Sequence, residues 1–523
     1  MMTPISQSSW LWLLPLLPAF AQATLDYRIP SIAPGNAAKL APAPVALSFE
    51  FFAYPAYFKD VTATRQCLAN FKDLSGTWPP MRIGGTTQDR ATFDATSNAD
   101  VVYSVASPAD APAALKFGPN FMKLAATYPG SVVLENTQLT FENLKGLNRG
   151  HNDIQNTIAA AKSAKDIMRN LKAIELGNEP EYYAGARQPI AANGWSPAID
   201  AASQNAWAKV VGTSIQAGNI IQAGNFQEGP PTWGNAQLIA SESAEVRGYI
   251  RNYAHHNYPG GSVQSLMSHS GIVRNLAPLG NDAKAATAVG KQYVLGETNS
   301  VARGGAAEVS PTFGAAIWTL DYTLHATTLN IDTVYFHHGT IGNCFYCWWG
   351  RYSAGAPYYG AWLATAAFAG SNYIQQLDAG NTNYGIYVLY NAQKVPIKAV
   401  LINSDYYDGK GSRGSQTFVL QGLSAGKATR AKRLTAASAL SRVDRGSSPR
   451  FGGQIVENQT CFVKGAEVFE NGRVGGTGAA SFTVAATQNA KDEPSRPDSS
   501  VVEFLLWDPQ DCKRSPVRSR IRP

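Results

Sequence analysis

Two glutamates, Glu179 and Glu297, stand in contexts that fit paired-carboxylate chemistry. Glu179 lies in the run Gly177-Asn-Glu-Pro180, Glu297 directly follows Gly296, and both come at the end of a short apolar stretch. Cleavage of a glycosidic bond uses two carboxyl groups: one is protonated to donate to the leaving oxygen, and the other is ionised to attack the anomeric carbon. A lone glutamate usually belongs to a surface ion pair, so this interpretation requires a fold that brings the two positions into one pocket.

Such a fold is indicated by eight short apolar runs that alternate with helical stretches. Their near-continuous hydrophobicity is typical of parallel strands that are covered on both faces. The runs are residues 45–52, 81–85, 131–139, 173–177, 215–224, 250–256, 293–296 and 333–338. They predict an α/β fold, a (β/α)8 TIM barrel. The alternative, a doubly wound open sheet, would carry a G-x-G-x-x-G turn after an early strand, and residues 82–87 lack that spacing.

The sequence changes character after residue 375, where short strand-like runs are separated by Gly, Asn, Asp and Ser. We therefore expect a catalytic barrel over residues 45–375 and an antiparallel β-sandwich domain over residues 376–512. The Pro-rich segment 24–44 is a candidate edge element of that sandwich. Residues 513–523 form a basic tail.

The predicted strand ends are rich in polar side chains, and in TIM barrels the active site lies at the carboxyl ends of the strands. Glu50 ends strand one, and Asn178 lies at the end of strand four, where its amide can donate to a sugar hydroxyl. His256 and Tyr258 end strand six. Tyr258 is placed to hold the strand-seven glutamate ionised by a hydrogen bond, with a core aromatic as the alternative. His256 fits a pocket position and a packing position equally well.

Three motifs together resemble glycoside hydrolase family 79, which contains β-glucuronidases and heparanases. They are residues 174–180 (IELGNEP), 82–89 (RIGGTTQD) and 296–300 (GETNS). The resemblance continues at residues 432–436 (KRLTA) and 451–454 (FGGQ), and so covers nearly the whole mature chain. The family belongs to a barrel clan with carboxylates on strands four and seven. The resemblance implies that Glu179 is the acid/base and Glu297 the nucleophile of a retaining mechanism.

In that family an aromatic loop after strand eight holds the uronic carboxylate, and its counterpart here is residues 342–349 (GNCFYCWW). A buried anion needs donors, and Arg82, a candidate structural residue, is the one basic side chain evident at a strand end. We therefore expect neutral donors, the Tyr346 hydroxyl and backbone amides near Phe345. A packed aromatic wall is the alternative interpretation of this loop.

These observations predict a retaining exo-β-glucuronidase that removes terminal β-glucuronosyl residues, with or without a 4-O-methyl group, from glycans or glycoconjugates. The expected partner is thus a β-glucuronide-bearing carbohydrate. Alternatives of the same class are an endo-acting, heparanase-like enzyme and a clan relative that acts on a neutral sugar. The non-enzymatic alternative is a carbohydrate-binding protein on an inactive barrel, and the presence of both glutamates with their neighbours argues against it.

The first 23 residues predict a secretory signal peptide, because an 11-residue apolar run from Trp10 to Phe20 precedes Ala21-Gln-Ala23. The run is shorter than the roughly 20 residues that span a bilayer, so we expect a secreted protein without a membrane anchor. The formal net charge is +7, with the basic residues concentrated in the tail and in residues 427–450. Those stretches lack the interleaved aromatics of nucleic-acid-binding segments, so no nucleic-acid partner is expected.

The five cysteines are expected to meet an oxidising compartment, where disulfides form, and their odd number leaves at least one thiol unpaired or pairing outside the chain. We predict a bridge between Cys461 and Cys512, and either a local Cys344–Cys347 bridge or one between Cys67 and one of that pair. No second C-x-x-C pair or His cluster accompanies residues 344–347, so neither a metal nor a cofactor is expected. Asn458 begins an N-x-T sequon, which predicts a glycosylated surface position.

Overall fold

The computed structural model describes residues 24–135, 149–350, 354–486 and 501–506. The expected signal peptide, Cys512 and the basic tail lie outside these residues. Eight parallel strands close into a barrel in the order of the sequence, which confirms the predicted fold class. The strands are β1 (Val45–Glu50), β2 (Met81–Gly84), β3 (Val132–Glu135), β4 (Leu171–Glu175), β5 (Ile221–Phe226), β6 (Ile250–Asn257), β7 (Gln292–Thr298) and β8 (Thr333–His338).

Helices between and after these strands contribute to a common apolar core with the outward strand residues. The helices are Tyr54–Lys59, Ala63–Ser75, Pro119–Ala126, Ile154–Ile167, Pro197–Ser214, Asn235–Ser241, Ala244–Tyr249, Val263–Met267, His269–Leu276, Leu279–Ala288, Phe313–Thr328 and Pro357–Phe368. The 3-10 turns are Gln88–Arg90, Pro180–Tyr182, Pro189–Ala191 and Val443–Arg445. Between β2 and β3 the chain forms a small sheet from Ala91–Phe93, Val101–Tyr103 and Leu115–Phe117.

The barrel interior is built in layers. The lower layer is a plug of mostly small apolar side chains from six strands: Ala46, Val133, Ala173, Ala254, Val294 and Tyr335. Side chains alternate between the faces of a strand, so the residue two positions later also points inward. On β1, β4, β6 and β8 that residue is polar and buried: Ser48, Glu175, His256 and His337. The apolar plug thus forms the floor of a polar layer at the carboxyl ends of the strands.

The C-terminal region is a sandwich of two sheets that share one apolar core, with Ile386 and Leu401 from one sheet and Phe418 from the other. The larger sheet contains, in spatial order, Arg450–Phe451, Ala428–Thr435, Val501–Leu506, Pro396–Asn403, Tyr384–Tyr390, Tyr373–Gln376 and Ala38–Lys39, with Glu470–Arg473 paired to Ala428–Thr435. The smaller sheet contains Leu25–Arg28, Ser415–Gln421 and Ala480–Ala485. A short hairpin pairs Ile455–Val456 with Val463–Lys464. After the barrel, the first strand of the larger sheet is Tyr373–Gln376, which starts slightly before the expected boundary.

One strand pair departs from the expected antiparallel arrangement. Leu25–Arg28 pairs in parallel with Ser415–Gln421. Adjacent antiparallel strands can be joined by a tight hairpin, whereas parallel strands need a long crossover. Here the whole barrel lies between the two strands in the sequence. The segment before the barrel therefore belongs to the sandwich by its pairing.

The predicted Cys461–Cys512 disulfide is wrong. Cys461 is bonded to Cys67, with a Cα–Cα distance of 5.1 Å and a sequence separation of 394 residues. The hairpin around Cys461 packs on the barrel helix Ala63–Ser75, where Asn70 Nδ2 donates to the Cys461 carbonyl at 2.8 Å. Proximity across the domain interface, rather than proximity in sequence, selects this partner. The predicted local bridge is confirmed, because Cys344 and Cys347 are bonded to each other.

A charged cluster lies buried between the barrel helices and the sandwich. His269 Nδ1 lies 2.8 Å from Asp321 Oδ2, and His269 Nε2 lies 2.9 Å from Asp378 Oδ1. The Tyr387 hydroxyl donates to Asp321 Oδ1 at 2.6 Å. Burial lowers the pKa of His269, but the two aspartates outweigh it and raise the pKa to about 10. The cluster therefore holds a protonated imidazole between two carboxylates.

The basic stretch 427–450 is largely paired within the fold. Lys432 lies 2.7 Å from Glu467, Arg433 binds Glu470, and Arg442 lies 2.6 Å from Asp444. Residues Ala428–Thr435 of this stretch form a strand of the larger sheet. Across the ranges that the structure describes, no helix combines the length and the apolar character needed to span a membrane.

Candidate active site

Glu179 is held at the mouth of the barrel by an unusual stretch of backbone. Gly177 has φ +87°, and a Cβ there would lie 2.2 Å from the Tyr183 hydroxyl, so only glycine fits. Glu179 itself is left-handed, with φ 45°. Its amide donates to the Asn225 carbonyl at 3.0 Å, and the 3-10 turn Pro180–Tyr182 follows. Left-handed backbone at a non-glycine residue costs energy and often marks a functional position.

A β-bulge directs Glu297 into the same space. In the pairing of β6 with β7, His255 is opposite Leu295 and His256 is opposite Glu297, so Gly296 is an extra residue in β7. A bulge bends its strand and changes the direction in which the next side chain points. The Glu297 side chain is 8% exposed, which leaves it accessible from the cleft.

The two glutamates meet in one cleft with a volume of about 1070 Å³. One carboxylate oxygen of Glu179, one of Glu297 and a ring nitrogen of His256 lie within 4.8 Å of one another. Residues far apart in the sequence are therefore direct neighbours at the carboxyl ends of β4, β6 and β7.

Arg82 is the centre of the polar layer. Its Nε and Nη2 donate to the two oxygens of Glu175 at 2.8 and 2.6 Å, and its Nη1 donates to Glu297 Oε2 at 2.7 Å. Nη1 also donates to Ser48 Oγ at 3.0 Å, and Nη2 donates to Asn178 Oδ1 at 3.0 Å. One fully buried guanidinium thus ties together β1, β2, β4 and β7. The bidentate geometry with Glu175 fixes the orientation of its remaining donors.

The environments of the two glutamates drive their pKa values in opposite directions. Burial raises the pKa of Glu179, and the negative charge of Glu297 raises it further. Burial also opposes ionisation of Glu297, but His337 and Arg82 outweigh it and hold the pKa of Glu297 well below its usual range. One carboxyl group is therefore kept protonated and its neighbour is kept ionised, the division of roles required of an acid and a nucleophile.

Five of the six expected substrate-binding residues lie in or against this site. The Tyr258 hydroxyl donates to Glu297 Oε1 at 2.5 Å, as the sequence suggested. His256 Nδ1 lies 3.1 Å from Glu179 Oε1, and burial lowers the pKa of His256 to about 4, so its ring is neutral. Asn178 lines the cleft, and because its oxygen accepts from Arg82 its NH₂ group remains available.

Glu50 lines the cleft but is already engaged by protein donors. Its Oε1 accepts from the backbone N–H of Thr87 at 2.9 Å and from the Thr87 hydroxyl, and its Oε2 lies 3.4 Å from His337 Nε2. A Cβ at Gly85, where φ is +105°, would lie 2.7 Å from that carboxylate. Glu50 is thus a carboxylate that protein donors hold in a fixed position at the rim of the cleft.

The two expected residues of the loop after β8, Phe345 and Tyr346, face different parts of the surface. Tyr346 is 3% exposed and lines the cleft, with its ring 6.3 Å from that of Tyr258. Phe345 is 43% exposed and lines a different depression, and its amide donates to the Gly304 carbonyl at 2.7 Å. Contrary to the expectation, the Phe345 side chain and its own amide lie away from the cleft that holds the glutamates, and the role of the other amides near Phe345 stays a prediction. The local disulfide closes a tight turn in which neighbouring side chains point to opposite sides.

Several residues of the site were not recognised from the sequence. Glu175 and His337 belong to the inward layer, and His337 lies 3.4 Å from Glu297 Oε2. A signal was present, since a lone acid in an apolar strand two residues after Ala173 marks an inward position. Gln227, which follows β5 and lies beside Glu179, carried no such signal.

Glu179, His256 and Glu297 are also the kinds of residue that bind metals. However, Arg82 already provides a positive charge to Glu297. The donor set therefore fits acid–base and nucleophilic chemistry by the side chains themselves.

Comparison with known proteins agrees with this geometry. Residues 385–490 match the family model described as the glycosyl hydrolase family 79 C-terminal beta domain. The crystal structure of a 4-O-α-L-rhamnosyl-β-D-glucuronidase from Fusarium oxysporum, in a Rha-GlcA complex, is similar with a TM-score of 0.85 and 47% sequence identity. The match covers 92% of this chain and 100% of that one.

Two fungal β-glucuronidases are similar in sequence. The Aspergillus niger enzyme is 28% identical over 372 residues, which are 63% of this chain and 65% of that enzyme. The Neurospora crassa enzyme is 27% identical over 376 residues, which are 62% of this chain and 63% of that enzyme. The chain thus matches slightly less than two thirds of the length of either enzyme.

Proposed function

Because this chain belongs to glycoside hydrolase family 79, we propose that it hydrolyses β-glucuronosidic bonds in carbohydrates. The observation that carries the proposal is the pair of Glu179 and Glu297, which lie in one cleft with pKa values driven apart. A binding protein on an inactive barrel would have no need to keep one carboxyl group protonated beside an ionised one.

The proposed mechanism is a double displacement. Glu297 attacks the anomeric carbon while Glu179 donates its proton to the glycosidic oxygen, so that the bond to the leaving group breaks as a glycosyl–Glu297 ester forms. Glu179, now ionised, then takes a proton from water, and that water attacks the anomeric carbon and releases Glu297. Retaining enzymes hold their carboxyl groups about 5–5.5 Å apart. The close approach of the two glutamates, with oxygens within 4.8 Å, supports retention.

The surrounding residues support each step. The Tyr258 and Arg82 donors keep Glu297 ionised until it attacks. We assign contacts with the sugar hydroxyls to the NH₂ group of Asn178 and the Glu50 carboxylate, because both residues line the cleft. For the uronic carboxylate we retain the Tyr346 hydroxyl as the proposed donor, since it is buried in the cleft wall.

The direct test compares chromogenic β-glucuronide and β-glucoside with the same aglycone. We expect the β-glucuronide to be strongly preferred, and proton NMR of the first product to show the β-anomer. A preference for the β-glucoside would refute the substrate assignment, and an initial α-anomer would refute double displacement. Polymeric glucuronides then distinguish exo-action, which releases single terminal units, from endo-action.

A second candidate is release of a glucuronosyl unit that carries a 4-O-rhamnosyl group. The observation that favours it is the 47% identity to the Fusarium enzyme over that enzyme's full length. Mass spectrometry of the products from a 4-O-rhamnosylated, a 4-O-methylated and an unsubstituted β-glucuronide decides between the candidates. Faster release of the intact disaccharide would establish the second one.

We also propose that the protein is secreted. The two disulfides among the described residues are of the kind that persist in oxidising compartments. Asn458 is exposed beside the Cys67–Cys461 bridge, so its sequon is accessible to glycosylation. Recovery of the protein from the culture medium, beginning near Thr24 and losing mass on deglycosylation unless Asn458 is changed to Gln, is the expected result.

A further inference from the structure

The side-chain amide of Gln227 lies against the proposed acid/base. With its nitrogen facing the carboxylate, Gln227 Nε2 lies 3.0 Å from Glu179 Oε1 and 3.1 Å from Oε2. His256 reaches only Oε1, at 3.1 Å. Gln227 is thus a donor to both oxygens of the group that must give up and regain a proton.

The backbone around Gln227 is held by two side chains. Glu181 Oε1 accepts from the backbone N–H of Gln227 and, at 2.6 Å, from that of Glu228. The His255 ring also hydrogen-bonds to the backbone of Gln227. Glu181 follows Glu179 by two residues, in the turn Pro180–Tyr182. One short segment therefore carries both the proposed acid/base and the side chain that holds the Gln227 backbone. The loops after β4 and β5 are tied together at this point.

We propose that Glu181 and Gln227 form a positioning unit that orients Glu179 and stabilises its ionised form after proton transfer. The inference rests on the proposed function, in which Glu179 alternates between acid and base. An amide that donates to the new carboxylate favours the charged state, whereas the buried site and the second glutamate oppose it. Gln227 acts through Glu179 and need not touch the substrate.

Several other groups act electrostatically on Glu179 from the elements packed around it, and all of them stay unchanged in the test. They are Glu297, Arg82, His337, Glu50, His256, Asp89, Glu181, Tyr182 and Tyr258. A shift in the pH profile on changing Gln227 alone is therefore assigned to the lost amide.

The test is the variant Gln227→Leu, which keeps approximate size but removes the donor. Loss of a hydrogen bond to the carboxylate should raise the pKa of Glu179, so the basic limb of the kcat/KM profile should move up by about one pH unit. Turnover of a β-glucuronide with a poor alkyl leaving group should fall by roughly 10-fold or more, because this substrate depends on correctly oriented proton donation. A nitrophenyl β-glucuronide should lose less than about threefold.

A second pair of variants tests whether the Glu181 carboxyl group holds Gln227 in position beside Glu179. Burial raises the pKa of Glu181 to about 8, so its acceptor oxygen matters more than its charge. Glu181→Gln keeps an acceptor and should retain the wild-type profile, whereas Glu181→Ala should reproduce the Gln227→Leu pattern. The matched control is Glu228→Gln, whose exposed side chain belongs to the same loop. Thermal melting of each variant identifies any that fail to fold.

Equal losses on both leaving groups with an unmoved basic limb would overturn the proposal, as would wild-type behaviour of Gln227→Leu. A downward shift of the limb would also overturn it, because it would mean that the amide oxygen serves the protonated acid. Failure of the proposed function has a different signature. In that case the wild-type enzyme prefers a glycoside other than the β-glucuronide, and the leaving-group comparison is then made on that substrate.

Discussion

Two buried cations in this protein each lie between two carboxylates, and only one of the clusters can do chemistry. In the barrel, Arg82 joins Glu175 to Glu297. Between the barrel and the sandwich, His269 joins Asp321 to Asp378. The motif is the same, a buried positive group shared by two acids. What differs is whether one acid still faces solvent.

At the domain interface the carboxylates are saturated. Asp378 accepts from His269, from Gln376 at 2.8 Å, and from the backbone N–H groups of Gly380 and Ile386 at 2.7 and 2.9 Å. Glu297 also has its donors, but its side chain is 8% exposed towards the cleft, against 0% for Asp321. A closed cluster stabilises one arrangement of two domains, whereas an open one keeps a charged oxygen ready for an incoming atom.

The largest expected effect comes from removing the carboxylate of Glu297, which faces the cleft. Glu297→Gln should lower kcat by roughly 10³-fold or more, because no other carboxylate can form the covalent intermediate. Arg82 keeps its bidentate partner Glu175, so the melting temperature should change little. Steady-state kinetics and calorimetry check both parts. If the variant unfolds, the Arg82 cluster is needed for stability in the same way as the His269 cluster, and the contrast between the two is wrong.

Glu179→Gln should show a loss that depends on the leaving group. An alkyl β-glucuronide should lose roughly 10³-fold in kcat/KM, because its leaving oxygen needs a proton, whereas an activated aryl β-glucuronide should lose much less in its first step. Single-turnover kinetics on both substrates measures this. Equal losses on the two would contradict the role of Glu179 as the acid.

Changes in the His269 cluster, which is closed to solvent, should lower the stability of the fold and leave kcat/KM unchanged. His269 has a folded-state pKa of about 10, above its usual 6.5, so its contribution to the free energy of unfolding is fully present below about pH 6.5 and is lost as the pH rises through about 10. Asp321→Asn breaks the pair and should cost about 3 kcal/mol at pH 6, with a flatter pH dependence. Denaturant unfolding at pH 6 and pH 9 measures both. Reduced kcat/KM of the folded variant would show that the two clusters are coupled.

The smallest expected effect concerns the aromatic wall. Tyr346→Phe should reduce the transition-state stabilisation of a β-glucuronide, measured from kcat/KM, by about 1.5–3 kcal/mol. This is the size of a hydrogen bond to a charged group. The weak activity on the matching β-glucoside should hardly change, because that substrate lacks the carboxylate. Equal losses on both substrates would instead assign Tyr346 to support of Tyr258, against which its ring packs.

The order of strands and the two glutamates could be predicted from the sequence. Strands buried on both faces need continuous apolar residues, and this signal is strong enough that β8 was predicted with the bounds it has, Thr333–His338. Closure of a parallel barrel then places all strand ends on one rim, so Glu179 and Glu297 had to approach each other.

Side-chain direction and partnership were decided only by the tertiary structure. Tyr346 faces the cleft while its neighbour Phe345 faces away, because a disulfide-closed turn sets their directions. Arg82 is the centre of the site because side chains from three other strands converge on it, and nothing in its local sequence shows this. A strand pattern records which face of an element is buried, but not which distant group lies opposite once the barrel closes and the sandwich docks.

The disulfide between Cys67 and Cys461 shows the same limit most plainly. Its two residues are 394 positions apart, and the bond follows from the packing of a hairpin of the sandwich on a barrel helix. Composition and periodicity determine elements, because each element must bury its own apolar surface. Contacts between elements depend on how those surfaces fit together, and that is a property of the folded chain alone.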